Sequence, residues 1–362
     1  MKETLALIFG GKSCEHEISL ISAKNIHASL DKNKYDVILI GIDKSGGWHI
    51  CDESVWEDSQ DLPSLSKEKA ERYPAVAVIP DTKTRGFISL GDSKQIVSVD
   101  IAFPITHGPF GEDGTLQGLL RMAGIPYVGA DLLSSSICMD KSVSKKLLEA
   151  NSIPVLPFME FRNSEEVSRK RIESHLKLPL FVKPSNLGSS VGISKVKSWE
   201  ELEEAVKNAF KFDSKIIIEQ GAEVREIECA VIGNSYPESS VPGEIIPINH
   251  EFYSYKAKYE DPNGADLIIP AKLYPDQVDV AKRLAISAYK ILNVSGFARV
   301  DLFLCRGNFF VNEVNTLPGF TSISMFPKLW EYSGIKYNEL LDKLIKLAKE
   351  KHKLDFALFL DL

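Results

Sequence analysis

The 362-residue chain is longer than one hydrophobic core usually grows, so two or three domains are expected. Its 44% hydrophobic and 26% charged residues are those of an ordinary soluble protein, and a net charge of −7 argues against general nucleic-acid binding, which phosphate neutralisation drives. No stretch reaches the roughly 18 uninterrupted apolar residues of a membrane helix, the amino terminus lacks a signal-peptide pattern, and the five cysteines show no C-x-x-C spacing. A cytoplasmic protein with no nucleic-acid or membrane partner, no disulfide framework and no zinc site is predicted.

The first element is an apolar strand, Leu5–Phe9, turned by Gly10-Gly11 into a helix that opens near Glu15 to Glu17 and runs through Ile18–Leu30. The letters GGKS in this turn mimic the end of a phosphate-binding P-loop, but Ala6 stands where its first glycine belongs and the intervening residues read as strand. Strands follow at Val37–Ile42 and Asp100–Ile105, completing a doubly wound α/β unit. Between Lys44 and Val97 the broken polar pattern predicts short antiparallel strands and turns on the unit's edge. A helix over Thr115–Ala123 ends at Gly124.

A second region opens near Asp131. It carries a helix over Lys141–Ala150, strands at Leu180–Lys183, Ile193–Val196 and Lys215–Glu219, and a helix over Ser198–Phe210 with Ser198 and Glu201 as a capping box. Beyond it come strands at Ile227–Ile232 and Gly243–Ile246, a tyrosine-rich polar segment, a helix over Asp276–Leu292, two strands around Arg306-Gly307, and a helix over Tyr337–Lys349. The closing LDFALFLDL is apolar enough to dock on the body.

Four segments carry candidate chemistry. In FARVDLFLCRGNFFVNEVNTLPGF, residues two apart share a strand face, which pairs Arg299 with Asp301 and Glu313 with Asn315. If the three residues Arg306–Asn308 form the connection, Asp301 lies opposite Glu313 and Arg299 opposite Asn315. That gives a cluster of hard oxygen ligands suited to Mg²⁺. An ordinary solvated strand face is the other reading. In FVKPSNLGSSVG, Lys183 ends a strand before a glycine-serine loop able to fold over phosphates, unless the loop is a plain hairpin turn. In HGPFGEDG, His107 follows a strand at the carboxyl edge of the sheet, where open α/β sheets bind ligands and where Glu15 also lies; a structural histidine beside chain-turning glycines is the other reading. In YSYKAKYED, Tyr253, Tyr255 and Tyr259 alternate with Lys256 and Lys258. Single-strand nucleic-acid binding uses such mixtures, but the acidic chain favours an active-site lid.

Taken in order, GGKSCEHEISL, HGPFGEDGTLQG, MDK, VKPSNLGSSVG, IEQ, REIECAV, KAKY, ARVDLF and NEVNTLPGFTSISMFP resemble the D-alanine–D-alanine ligases of the ATP-grasp superfamily, from Leu5 to about Leu344. The resemblance implies an α/β protein: an amino-terminal Rossmann-like (pre-ATP-grasp) domain over 1–130, then a two-part ATP-grasp fold of α+β type. The central part would span 131–218 and the carboxy-terminal part 219–362. It also implies a cytoplasmic homodimer that joins two D-alanines for peptidoglycan precursors through an acyl phosphate, using ATP and two Mg²⁺ ions for which Mn²⁺ substitutes.

Residue by residue, the resemblance puts the metal ions on Asp301, Glu313 and Asn315, and the phosphates on Lys141, Lys183 and Lys258. The ribose goes to Glu226, and the adenine to Glu219 and its neighbours. Arg299 and the Gly319 N–H would hold the oxyanion. Glu15 would bind the first ammonium, linked to Ser189 and Tyr259. His107 would lie beside the first carboxylate, and Ser324 would bind the second. A D-alanine–D-lactate ligase is the near alternative; Tyr259 favours the dipeptide.

Overall fold

The computed structural model describes residues 2–56, 64–91, 95–248 and 264–357. Tyr253, Tyr255, Lys256, Lys258 and Tyr259 of the expected lid lie outside the described residues, as does the end of the apolar tail.

The amino-terminal part is laid down by β1 (Glu3–Gly10), α1 (His16–Ser29), β2 (Tyr35–Ile42), β3 (Trp48–Cys51), α2 (Lys67–Ala70), β4 (Val76–Val78), β5 (Gly86–Ser89), β6 (Ile96–Ser98), β7 (Ile101–Pro104), α3 (Thr115–Met122) and α4 (Leu132–Met139). The main sheet has the order β3-β2-β1-β7, with β1 parallel to both β2 and β7. Residues Leu5 to Phe9 are fully buried on both faces, as a central parallel strand requires. The expected edge strands are present as β3, antiparallel to β2, and as the separate sheet β4-β5-β6.

The remainder comprises α5 (Lys141–Ala150), β8 (Phe158–Phe161), α6 (Arg169–Glu173), β9 (Leu180–Pro184), β10 (Ser194–Val196), α7 (Leu202–Ala209), β11 (Ile216–Gln220), β12 (Arg225–Ile232), β13 (Glu238–Ser239), β14 (Gly243–Pro247), β15 (Ala265–Ile268), α8 (Pro275–Ile291), β16 (Phe297–Cys305), β17 (Asn308–Asn315), α9 (Met325–Tyr332) and α10 (Tyr337–Ala357). They form an antiparallel sheet of order β10-β9-β11-β8 and a larger one of order β15-β14-β12-β16-β17, with β13 added to β12. One face of the larger sheet packs on α8 through Val300, Leu302, Val311, Ala281, Ala285 and Tyr289. Its alternating burial leaves the other face for polar side chains.

Three expectations need correction. The hairpin between β16 and β17 is closed by two residues, Arg306 (φ 48°) and Gly307 (φ 83°), while Asn308 pairs with Cys305 inside the ladder. Asp301 still faces Glu313 because a β-bulge takes up the extra residue, Asn312. Second, no capping box forms at Ser198. Trp199–Glu201 is a turn of 3₁₀ helix, and the Glu201 carboxylate accepts from the Lys197 N–H. Third, the last helix runs on to Ala357 and leaves Leu354 exposed, so the described start of the tail extends the helix.

The amino-terminal sheet and the large sheet are joined by one apolar core. Phe103 of β7 packs edge-on against Phe320, which also meets Phe297, Phe326 and Tyr337. Salt bridges from Lys349 to Glu3 and from Lys34 to Asp342 fasten α10 to the first strands.

Candidate active site

Gly10 must be glycine: its φ is 88°, and a Cβ there would lie 2.2 Å from the Ile42 carbonyl oxygen. The turn is fixed by Ser19, whose hydroxyl accepts from Gly10 N (2.7 Å) and donates to Ile105 O (2.5 Å), tying α1 to the carboxyl ends of β1 and β7. Glu15 is thereby presented at the head of α1, 7% exposed. It accepts a hydrogen bond from Ser189, on the glycine-serine loop of the second sheet. Ser189 and Ser190 hold the left-handed backbone (φ 50° and 59°), an uncommon state for residues with a Cβ.

His107 is buried just beyond β7. Its Nδ1 lies 3.0 Å from Leu317 O and 3.5 Å from a Glu112 carboxylate oxygen, and its Nε2 lies 3.5 Å from Ser22 Oγ. Burial opposes the imidazolium charge, but Glu112, Glu15 and the Leu317 carbonyl outweigh it and hold the pKa above the usual histidine range. Both ring nitrogens therefore face protein groups.

In the second sheet Ile217 pairs with Lys183, which puts Glu219 diagonally across from Lys183 on the same face. Lys183 donates to Glu219, and Lys145 from α5 lies 2.5 Å from its other oxygen. Despite burial, these two ammonium groups pull the Glu219 pKa down to about 2, while burial lowers that of Lys145. Lys141, at the start of α5, donates to Leu187 O (2.6 Å) and stands 3.6 Å from Glu313.

Across the large sheet Glu228 pairs with Asp301, and Asp301 with Glu313, so three carboxylates from three strands form one row. Arg299 binds both Asp301 oxygens (2.7 and 2.6 Å) and lies 3.1 Å from Glu228, and its pKa is raised well above the usual value. Asn315, opposite Arg299, accepts from Leu317 N (3.0 Å). Among the described residues no three His, Cys, Asp or Glu side chains converge as a metal cluster. The set Asp301, Glu313 and Asn315 nonetheless fits Mg²⁺: each is a hard oxygen donor, and the three stand on one face of the paired strands β16 and β17.

In the turn that follows, the Leu317 N–H goes to Asn315, Pro318 has none, and the Phe320 N–H goes to Ser22 (3.3 Å). Gly319 carries the one donor of this turn with no partner among the described residues. It is also so near Ser324 that a Cβ would sit 2.7 Å from the Ser324 hydroxyl. Ser324 caps α9 in position and accepts from Thr321 N (3.0 Å).

Two cavities meet here. One of about 630 Å³ is lined by Lys183, Glu219, Glu226 and Asp301. The other, about 740 Å³, is lined by Glu15, His107, Asn315, Gly319 and Ser324. Lys141, Ser189, Glu228, Arg299 and Glu313 border both. Among the described residues, Lys183, Glu219 and Glu226, expected at the nucleotide, line the first chamber only, and Glu15, His107 and Ser324, expected at the amino acids, line the second only.

Family models described as D-ala D-ala ligase N-terminus and D-ala D-ala ligase C-terminus match residues 4–130 and 147–346. The chain belongs to the D-alanine–D-alanine ligase family. It is 48% identical over 361 residues to the D-alanine–D-alanine ligase of Oceanobacillus iheyensis, covering 98% of this chain and 97% of that one. It is 47% identical over 360 residues to D-alanine–D-alanine ligase A of Salmonella typhimurium, covering 99% and 98%. Among solved structures, the D-alanine–D-alanine ligase of Coxiella burnetii superposes with a TM-score of 0.86 at 37% identity, covering 99% of this chain and 97% of that one. The VanG D-Ala:D-Ser ligase of Enterococcus faecalis gives 0.84 at 37%, covering 96% and 100%. The ligase family's architecture is the one expected: a Rossmann-like domain followed by the two-part ATP-grasp fold.

Sequence reasoning missed Lys145, Glu228 and Glu112. Glu228 was within reach, since it stands two residues after Glu226 and so on the same strand face. Lys145 had no local signal, because Glu219 lies far along the chain. Glu112 was within reach, since its partners His107 and Gly108 stand in the same HGPFGEDG segment.

Proposed function

We infer that this protein is an ATP-dependent ligase that joins two D-alanines through a C–N bond, supplying the dipeptide for peptidoglycan precursors. The observation that carries the reading is the common wall: a chamber lined by residues expected at the nucleotide and one lined by residues expected at the amino acids meet at Arg299, Glu313 and Lys141.

In this reading the γ-phosphoryl group passes to the carboxylate of the first D-alanine, converting a resonance-stabilised anion into an acyl phosphate with a good leaving group. Lys141, Lys183 and Lys258 neutralise phosphate oxygens, Glu226 takes the ribose, and Glu219, which accepts from Lys183, sits with its neighbours at the adenine. Asp301, Glu313 and Asn315 would hold two Mg²⁺ ions, with Mn²⁺ as a substitute, whose charge offsets that of the phosphates. Glu15 binds the ammonium of the first D-alanine, closed in by Ser189 and Tyr259. His107 lends positive charge to the carboxylate side, since its ring nitrogens are engaged within the protein. Ser324 receives the second carboxylate. When the second amine attacks, Arg299 and the Gly319 N–H receive the oxyanion, and phosphate departs.

We further propose a cytoplasmic homodimer whose chain divides at about residue 130 and, two residues later than the expected 218, after Gln220, because β11 pairs throughout with the central sheet. A depsipeptide product is not favoured, given that the curated relatives at 47–48% identity are named for D-alanine at both positions. The test is D-alanine-dependent phosphate release from MgATP, with the product identified by mass. D-Alanyl-D-alanine is expected; release at background, or an ester made exclusively when D-lactate is added, overturns the reading.

A further inference from the structure

Ser22 lies on the inner side of α1, fully buried, and none of the roles above uses it. Its hydroxyl oxygen accepts from the Phe320 N–H at 3.3 Å and lies 3.5 Å from His107 Nε2. A hydroxyl has two lone pairs and one proton, so both contacts can be made at once, whichever way the histidine is protonated. The other histidine nitrogen reaches Leu317 O at 3.0 Å. Ser22 and His107 therefore grip the segment Leu317-Pro318-Gly319-Phe320 at both ends, by its first carbonyl and its last N–H. Gly319, whose N–H has no partner among the described residues, stands between them. Two further bonds converge on Phe320 O, from Tyr337 OH (2.9 Å) and Asn25 Nδ2 (3.4 Å). The turn is thus set in place largely by α1 and the loop after β7, across the boundary with the amino-terminal domain.

A donor that stabilises developing charge is effective only if it is fixed beforehand, and a displacement of about 1 Å costs roughly 100-fold in rate. We propose that Ser22 is a positioning residue for acyl transfer, coupling His107 to the turn that aims the Gly319 N–H at the oxyanion. The proposal rests on the ligase reading and deepens it. Without the Ser22 hydroxyl the Phe320 N–H loses its acceptor, the turn gains a second unspent donor, and the Gly319 N–H is no longer held in one direction.

The experiment compares the full-length wild type with Ser22→Ala. It reads kcat, the KM for ATP, and the inhibition constant of a phosphinate dipeptide whose tetrahedral phosphorus mimics the reacting carbon. The expected result is a fall in kcat of about tenfold or more, matched by an equal weakening of the phosphinate, with the KM for ATP within about twofold of wild type. A purely structural role would lower thermal stability and leave the ratio of phosphinate to ATP affinity unchanged. That outcome overturns the proposal, as does a kcat within about twofold of wild type. Should Ser22→Ala not fold, Tyr337→Phe removes one bond to the same turn and is read by the same criteria, with unchanged kcat and phosphinate affinity counting against the proposal. A wild type with no D-alanine-dependent ATP turnover overturns the ligase reading itself, and the proposal with it.

Discussion

The ammonium of Lys145 lies 2.5 Å from the carboxylate of Glu219, and both side chains are sealed from solvent. Removing one member of a buried pair leaves the other charge without full compensation, at a cost of about 3–5 kcal/mol. Lys183 also holds Glu219, so Lys145→Met should destabilise by less, about 2 kcal/mol, and should raise the KM for ATP by drawing Lys183 wholly onto Glu219. Urea denaturation and steady-state kinetics check both parts. Unchanged stability would show that Lys183 suffices alone.

The same carboxylate sets an acid limit. Its folded-state pKa of about 2 is below the ordinary 4.5, so its stabilisation is complete above pH 4.5 and fades as the pH falls towards 2. The difference corresponds to about 3 kcal/mol. Denaturation of wild type and Glu219→Gln across this interval should show the wild type losing its advantage on acidification. Parallel curves would contradict the assignment.

His107 works in the opposite direction. Its pKa is raised above 6.5, so its contribution is whole below pH 6.5 and is lost as the pH rises through the folded-state value. The stability gap between wild type and His107→Gln should be largest on the acid side of neutrality and narrow in alkali, as unfolding midpoints at a series of pH values would reveal.

Arg299 is gripped by both oxygens of Asp301, with Glu228 on its other side, an arrangement that suits a planar guanidinium and not an ammonium. Arg299→Lys should lower kcat by roughly 100-fold or more while the protein stays folded. A loss of under about tenfold would remove Arg299 from the oxyanion site.

Ser189 connects its loop to Glu15 across the domain boundary. Ser189→Ala removes a bond to a charged acceptor, so the KM for the first D-alanine should rise by about tenfold. Titration against D-alanine at saturating ATP would measure it.

Much of the site was legible because strand periodicity is local. Arg299, Asp301, Glu313 and Asn315 fall on one face by spacing alone, and the structure pairs them as that spacing implies. The mechanism of the pairing was not legible: the sequence does not say whether the connection takes three residues or two with a bulge at Asn312, since both give the same register. The fully buried strand Leu5–Phe9 was clear from its unbroken apolar run. Lys145 was not, because beside Lys146 it reads as one more surface lysine until tertiary packing brings Glu219 over it. The capping box at Ser198 failed for a related reason: the Glu201 carboxylate accepts from the Lys197 N–H, one residue before the donor a capping box uses.

Adjoining chambers that share Lys141, Ser189, Glu228, Arg299 and Glu313 in their walls invite occupation by a single tethered molecule. If its two ends match the two chambers and its spacer reaches across, seating one end presents the other at an effective concentration in the millimolar range for a short spacer. Such a compound would lose its advantage over its separate halves as soon as the spacer became too short to bridge the partition.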